Sequence, residues 1–188
     1  LVIIIMFWKN RNIVTNYLKM YDFLVNDINC KYVWRCDKKN IFDNYKKNIS
    51  RNHLEIGPGT GYFLKKFNYK IDNLHLLDIN KDTLSYSAKN LRKEYQNINL
   101  INKNIFIDNF EISDSIDSVG INYVLHCVPG KLDNKIDTII KKLSNKKRKR
   151  VVFGATVLND INLQNTISKL ELNYLNKAIF PFIKENNS

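Results

Sequence analysis

Glycine and proline are scarce, with 6 Gly and 3 Pro in 188 residues. A chain so poor in both is neither a flexible linker nor a turn-rich β solenoid, and a collagen-like fibre is excluded. Cysteine is equally sparse and its number is odd. Cys30, Cys36 and Cys127 have no paired spacing, so reduced thiols and a cytoplasmic setting are expected. No C-x-x-C or H-x-x-x-H pattern occurs, and no metal site is expected. Long apolar runs are missing too. Residues 1–8 (LVIIIMFW) fall far short of the about 20 needed to span a bilayer. Positive charge follows that run instead of preceding it, and no small-residue cleavage site is present, so neither an anchor nor a signal peptide is expected. The eight residues read either as a helix packed on the domain or as translation upstream of a start at Met6 or Met20.

What remains is ordinary globular material. Apolar residues make up 44% and charged residues 26%, at a length that buries a single-domain core without disulfide or metal staples. Lys plus Arg outnumber Asp plus Glu by 30 to 18, a net charge of +12. The chain also holds 28 Asn, 24 Lys and 24 Ile, a joint enrichment that AT-rich codon usage produces without selection for binding. The charge therefore admits a nucleic-acid partner without favouring one. The basic run 146–150 (KKRKR) reads as a solvated loop, with a phosphate-backbone contact as the sharper alternative.

Hydrophobic periodicity divides the chain. Residues 13–28 carry Ile13, Tyr17, Met20, Tyr21, Leu24, Val25 and Ile28 at helical spacing, and 31–48 continue in a more polar helix. Short apolar runs then recur at 53–56, 74–77, 98–101, 116–121 and 151–155, with helical stretches at 61–69, 81–95 and 131–144. Strands alternating with helices predict βαβ units and a parallel sheet covered on both faces.

The most informative segment is HLEIGPGTGYFL at 53–64: a strand, a glycine turn and the start of a helix. Gly57, Gly59 and Gly61 are spaced G-x-G-x-G, and Tyr62 stands where a dinucleotide fingerprint needs its third glycine. This leaves an NAD(P)-dependent oxidoreductase as a distant reading. No Gly-Lys-Ser/Thr follows, so the turn is not a P-loop. Glu55, two residues before the first glycine, suits a cationic ligand better than a phosphate. Asp78 ends the second apolar run 21 residues after Gly57, where an acid can accept both hydroxyls of a ribose; the other role open to it is to cap the following helix. After the fourth run comes NYVLHCVPG at 122–130.

Together these segments resemble the class I S-adenosylmethionine-dependent methyltransferases of small-molecule type, over roughly residues 17–180. The resemblance implies a three-layer α/β Rossmann-like fold with a mainly parallel sheet, about five strands and a helical N-terminal lid. It implies a lid at 1–48, a cofactor-binding core at 49–156 and a helical segment at 157–188 that is incomplete relative to the family. No sixth or seventh strand is found beyond 155, which leaves strand five an exposed edge. A fragment, a shortened subfamily, or a partner or second copy covering that edge would each account for it.

For the site, the resemblance implies S-adenosylmethionine held by Glu55, the three glycines, Asp78 on the ribose, and Asn104 on the adenine amine in place of the family's usual acid. Ile79 and Ile105 would flank the adenine, Asn122 would line the site, and Tyr21 and Arg35 would close from the lid, Arg35 on the methionine carboxylate. Asn122-Tyr123-Val124 lacks the N/D-P-P-Y/F pattern of enzymes that methylate amide or exocyclic nitrogens, which disfavours nucleic acid as the acceptor. His126 is the candidate general base, its other reading being a buried loop residue. His53 and His75 read as structural, Cys127 as packing, and Tyr62, Phe63, Tyr86 and Tyr123 as core, with Tyr123 beside the substrate mouth. The expected function is methyl transfer to a small molecule. The alternatives are an RNA methyltransferase and a cofactor-binding module without catalysis.

Overall fold

The computed structural model describes residues 32, 36–67, 69–144, 149–158 and 166–174. The first eight residues, the expected helix at 13–28, Tyr21, Arg35 and much of 162–179 lie outside the described residues.

Helix α1 (Lys38–Asn48) starts where the Asp37 carboxylate accepts from the Lys39 amide at 2.8 Å. Lys46 and Lys47 sit in its last turn, where cations favour the helix dipole. It buries Ile41, Phe42 and Tyr45 and packs against strand β5. The sheet comprises β1 (Asn52–Ile56), β2 (Asn73–Asp78), β3 (Ile98–Asn102), β4 (Ser118–Asn122) and β5 (Val151–Ala155). All pairings are parallel, in the order β3-β2-β1-β4-β5. Between the strands lie α2 (Tyr62–Phe67), α3 (Lys81–Leu91) and α4 (Leu132–Leu143); α5 (Thr166–Tyr174) follows β5.

Side chains of a strand alternate between faces, and two cores result. On one face, Leu74, Leu76 and Phe153 meet Ile41 and Tyr45 of α1, Leu64 of α2, and Leu84, Ala88 and Leu91 of α3. On the other, Leu54, Ile56, Leu77, Val119 and Ile121 meet Ile105, Ile112 and Ile116 of the β3–β4 connection and Ile139 and Leu143 of α4. The result is the expected three-layer α/β arrangement. β1 and β4 are buried almost throughout, while Val151 and Val152 of β5 are exposed. Among the described residues, β5 has β4 as its one strand neighbour.

One residue of the basic run departs from its reading as a solvated loop. Residues 146–148 lie outside the described residues, and Lys149 is exposed. Arg150 turns inward, with 4% of its side chain exposed. Its guanidinium donates to the carbonyls of Leu143, Ile116, Ser113 and Ile112 at 2.7–3.3 Å. A fork of five donors suits such a cluster of loop carbonyls. Arg150 therefore pins the end of α4 and the approach to β4, and is not free for a phosphate.

Candidate functional site

The strand order reverses at β1: β2 and β3 lie to one side of it, β4 and β5 to the other. In an open parallel sheet the crevice beyond the carboxyl ends at such a point is where ligands sit. The glycine turn leaves β1 there. Gly57 donates its amide to Leu77 O at 2.8 Å, and Gly61 closes the turn on Pro58 O at 2.8 Å. All three glycines have positive φ, at 64, 56 and 79°.

Their steric duties differ. A Cβ on Gly57 would overlap Val124, at the start of the turn after β4. One on Gly61 would press on Leu91 at 3.0 Å and on Ser87 Oγ at 3.1 Å, both on α3. The close-packing glycine is thus at 61, and Tyr62 does not disrupt the turn. A Cβ on Gly59 would meet nothing within 4 Å. Gly59 has bare backbone facing open space, which is what a ligand lying on the turn requires.

At the tip of β2, Asp78 Oδ1 accepts from the Asn80 amide at 2.8 Å. Burial raises the Asp78 carboxyl above its ordinary value. Asp78 is not the cap of α3: Asn80 is, with its side-chain oxygen accepting from Asp82 and Thr83. Sequence reasoning missed Asn102, whose Nδ2 donates to the carbonyls of Asp78 and Ile79 at 3.0 and 2.9 Å and clamps the β2 tip to β3. Ile79 is 59% exposed, whereas Ile105 is 3% exposed within the core. Of the two residues expected to flank a base, Ile79 stands open and Ile105 packs within the core. Asn104 Oδ1 already accepts from the Phe106 amide at 2.9 Å, and its own amide donates to Asp108 Oδ2 at 2.8 Å. Asn104 builds the turn after β3, and any contact with a ligand uses the second lone pair of that oxygen.

Glu55 is held inside the protein. It is 3% exposed and lies on the α1 face of the sheet. Tyr45 Oη donates to its Oε1 at 2.6 Å, and His53 Nε2 lies 3.0 Å from its Oε2. The carboxylate is engaged within the protein and is not presented free to a cation. Asn122, at the end of β4, joins the same group: its Nδ2 donates to Tyr45 Oη at 3.0 Å. Asn122 is 7% exposed, and its Oδ1 is buried without a hydrogen-bond partner. Tyr45 and Ser118 are further members that sequence reasoning missed, because they carry no motif signal. Tyr45 reads as one more apolar residue of a helix stripe. His53 is structural as expected, with Nδ1 2.8 Å from Ser118 Oγ.

Beyond Asn122 the chain turns sharply. Tyr123 has φ 57°, a left-handed conformation that costs a non-glycine residue energy and clusters at functional sites. A 3₁₀ turn, Leu125–Cys127, follows. His126 is half-buried, and its pKa is pushed down to about 4 by burial and by the nearby Lys135 ammonium. Lys135 is itself buried and donates to Leu125 O at 2.8 Å, holding the turn. Burial pushes the Cys127 thiol up to about 12, which fits packing and not nucleophilic chemistry. Tyr123 stands edge-on to His126 at 6.3 Å between ring centres. Phe63, Tyr62 and Phe42 extend this aromatic row back to α1. These rings are half-buried at the crevice end of the core, apart from the buried Phe42.

No family model matches the chain. Among curated proteins it is 30% identical over 165 residues to demethylluteothin O-methyltransferase of Streptomyces thioluteus, a match covering 86% of this chain and 70% of the relative. It is 32% identical over 148 residues to the physcion biosynthesis cluster O-methyltransferase of Aspergillus chevalieri, covering 75% and 64%. Among solved structures, an S-adenosylmethionine-dependent methyltransferase from Clostridium acetobutylicum shares the fold with a TM-score of 0.52 at 17% identity, over 69% of this chain and 51% of that one. No helix among the described residues is long and apolar enough to cross a membrane.

Proposed function

Because the chain belongs to the class I S-adenosylmethionine-dependent methyltransferases, we propose that it methylates a hydroxyl of a small molecule, with the cofactor laid over Gly59 at the β1–β4 crevice. The observation that carries this reading is the open space over Gly59 at the end of β1, together with the unpartnered buried oxygen of Asn122 at the end of β4. A cofactor with a nucleoside body and a cationic amino-acid tail fits both. Asp78 would hold its ribose, Ile79 one face of its adenine, and Asn104 the exocyclic amine. Tyr21 and Arg35 remain proposed lid contacts. When bound, S-adenosylmethionine supplies an electrophilic methyl on a sulfonium sulfur.

The protein's own work is then positional. Tyr123 and the aromatic row seat the acceptor and exclude water, and alignment of the acceptor toward the crevice supplies most of the rate. His126 would receive the proton released as the acceptor oxygen is alkylated. A base weakened by burial matches an acidic hydroxyl, phenolic or enolic, better than an aliphatic alcohol. The names of both curated relatives, each an O-methyltransferase, support an oxygen acceptor. The net charge of +12 is the observation that favours RNA instead, and the internal use of Arg150 weakens it.

Calorimetric titration of the full chain with S-adenosylmethionine, S-adenosylhomocysteine and NAD is the first test. Binding of both adenosyl compounds and not NAD supports the site. A ligand at about 100 times its Kd should raise stability by about 2.7 kcal/mol. A folded chain that binds neither would sink the proposal. Methyl transfer from labelled cofactor to small phenols, and not to RNA, then separates the two acceptors; RNA retention that falls steeply with salt would reverse that order.

A further inference from the structure

We propose that Tyr45 is a positioning residue of the cofactor site: a buried phenol that fixes which way the Asn122 carboxamide faces at the crevice. The inference rests on the cofactor reading above and adds a residue to it.

The argument is one of donors and acceptors. As a carboxylate, Glu55 can only accept. Tyr45 has a single hydroxyl proton, and the 2.6 Å contact commits it to Glu55 Oε1. Tyr45 Oη can then only accept from Asn122, so the amide group of Asn122 must turn its NH2 toward Tyr45, as the 3.0 Å contact has it. Oδ1 is forced to the other side, where it is buried with no hydrogen-bond partner. A buried acceptor left unmade is costly, and its natural complement is an N–H donor that arrives with the ligand. The donor that the adenosyl cofactor carries at its tail is its α-ammonium.

Both ends of this relay are anchored. On the Glu55 side, His53 Nε2 meets Oε2, Ser118 Oγ meets His53 Nδ1, and the Ser50 amide donates to Ser118 Oγ at 2.9 Å. With Ser118 Oγ accepting from both the amide and the hydroxyl of Ser50, its own proton goes to His53 Nδ1, leaving Nε2–H to donate to Glu55. On the Tyr45 side, the ring is 1% exposed. It stacks on Phe63 and Tyr69 at 5.9 and 5.8 Å and meets Phe153 edge-on at 5.1 Å. Burial, and next to it Glu55, raises the phenol well above its ordinary pKa, so the hydroxyl keeps the proton the relay needs. The phenol belongs to α1, so the seating of that helix and the orientation of Asn122 are set by one hydroxyl.

The test compares two ligands by calorimetry on the full chain. S-Adenosylhomocysteine carries the amino-acid tail; 5′-methylthioadenosine shares the nucleoside and lacks it. Tyr45→Phe keeps the ring and removes the hydroxyl. It is expected to weaken S-adenosylhomocysteine by about tenfold while methylthioadenosine changes by less than about twofold. Asn122→Ala should show the same selectivity, and adding Tyr45→Phe to it should cost little more, since neighbours in one network do not add. Equal loss of both ligands, no loss, or full additivity would overturn the role of Tyr45 and leave the cofactor reading intact. A folded parent chain that binds neither ligand would overturn the cofactor reading itself and this inference with it. Should Tyr45→Phe fail to fold, Asn122→Ala alone decides, with unselective loss counting against the proposal.

Discussion

Glu55 lies over Gly120, its partner in the β1–β4 register, and its carboxylate occupies the place that a side chain at position 120 would need. His53 Nε2 stands 3.2 Å from the same point. A glycine in the middle of a buried strand weakens it unless another group approaches closely, and here the approaching group is the charged centre of the Tyr45–Glu55–His53 network. Gly120→Ala should therefore force the carboxylate off its partners. The expected loss is about 1–3 kcal/mol, read as a lower denaturant midpoint at unchanged slope. An unchanged midpoint would mean that the carboxylate has room to swing aside.

Gly57 and Gly59 should respond differently to the same substitution. Both hold positive φ, which costs an alanine about 1–2 kcal/mol. Gly57→Ala adds an overlap with Val124, whereas Gly59→Ala points its methyl into open space. Gly57→Ala should lower the melting temperature clearly more than Gly59→Ala. Gly59→Ala should lose more S-adenosylhomocysteine affinity than its loss of stability explains. Equal melting losses, or full ligand affinity in Gly59→Ala, would count against the assigned roles.

Asp78 offers a trade between stability and binding. Burial raises its carboxyl pKa, so the fold disfavours the charged form near neutral pH. Asp78→Asn keeps an oxygen for the Asn80 amide and removes that penalty. The variant should be at least as stable as the parent at pH 7, and its advantage should shrink as pH falls and the parent carboxyl protonates. Its S-adenosylhomocysteine affinity should drop about tenfold or more, as loss of a charged acceptor costs about 1.5–3 kcal/mol. Full affinity in the variant would remove the ribose assignment.

The sheet was legible because its signals are local and repeated. Five apolar runs separated by helical spacing matched β1, β2, β3 and β5 to within one residue at each end, and the start of β4 alone slipped by two, from 116 to Ser118. Ile116 explains the slip: it is apolar and buried, yet belongs to the loop before the strand. The glycine turn was legible because its positive φ angles restrict which residues can stand there. The wiring was not. Whether Glu55 faces a ligand or a neighbour depends on which face of β1 it takes and on what α1 places opposite, ten residues upstream. Arg150 looked like one charge in a run until its loop carbonyls were in view. Contacts across the sheet between residues 68 or 77 positions apart, such as Ser50–Ser118 and Tyr45–Asn122, leave no pattern in a single sequence.

His126 carries a pH signature that tests its setting. Its folded pKa, about 4, lies below the ordinary 6.5, with burial the larger cause and the Lys135 charge the smaller. The unfolded chain therefore takes up this proton first as pH falls. The stabilisation is fully present above about pH 6.5 and is lost progressively toward pH 4, amounting to about 3 kcal/mol. His126→Gln should flatten that part of the stability–pH curve, and an imidazole NMR titration should place the midpoint near the low end of the window. Lys135→Met removes both a positive charge and the donor to Leu125 O, so it should raise the His126 midpoint while loosening the 3₁₀ turn. If His126 receives the acceptor's proton, the acid limb of kcat/KM should lie well below pH 6.5 in the parent and move up in Lys135→Met. A limb that stays fixed while the imidazole midpoint moves would leave His126 a structural residue of the turn.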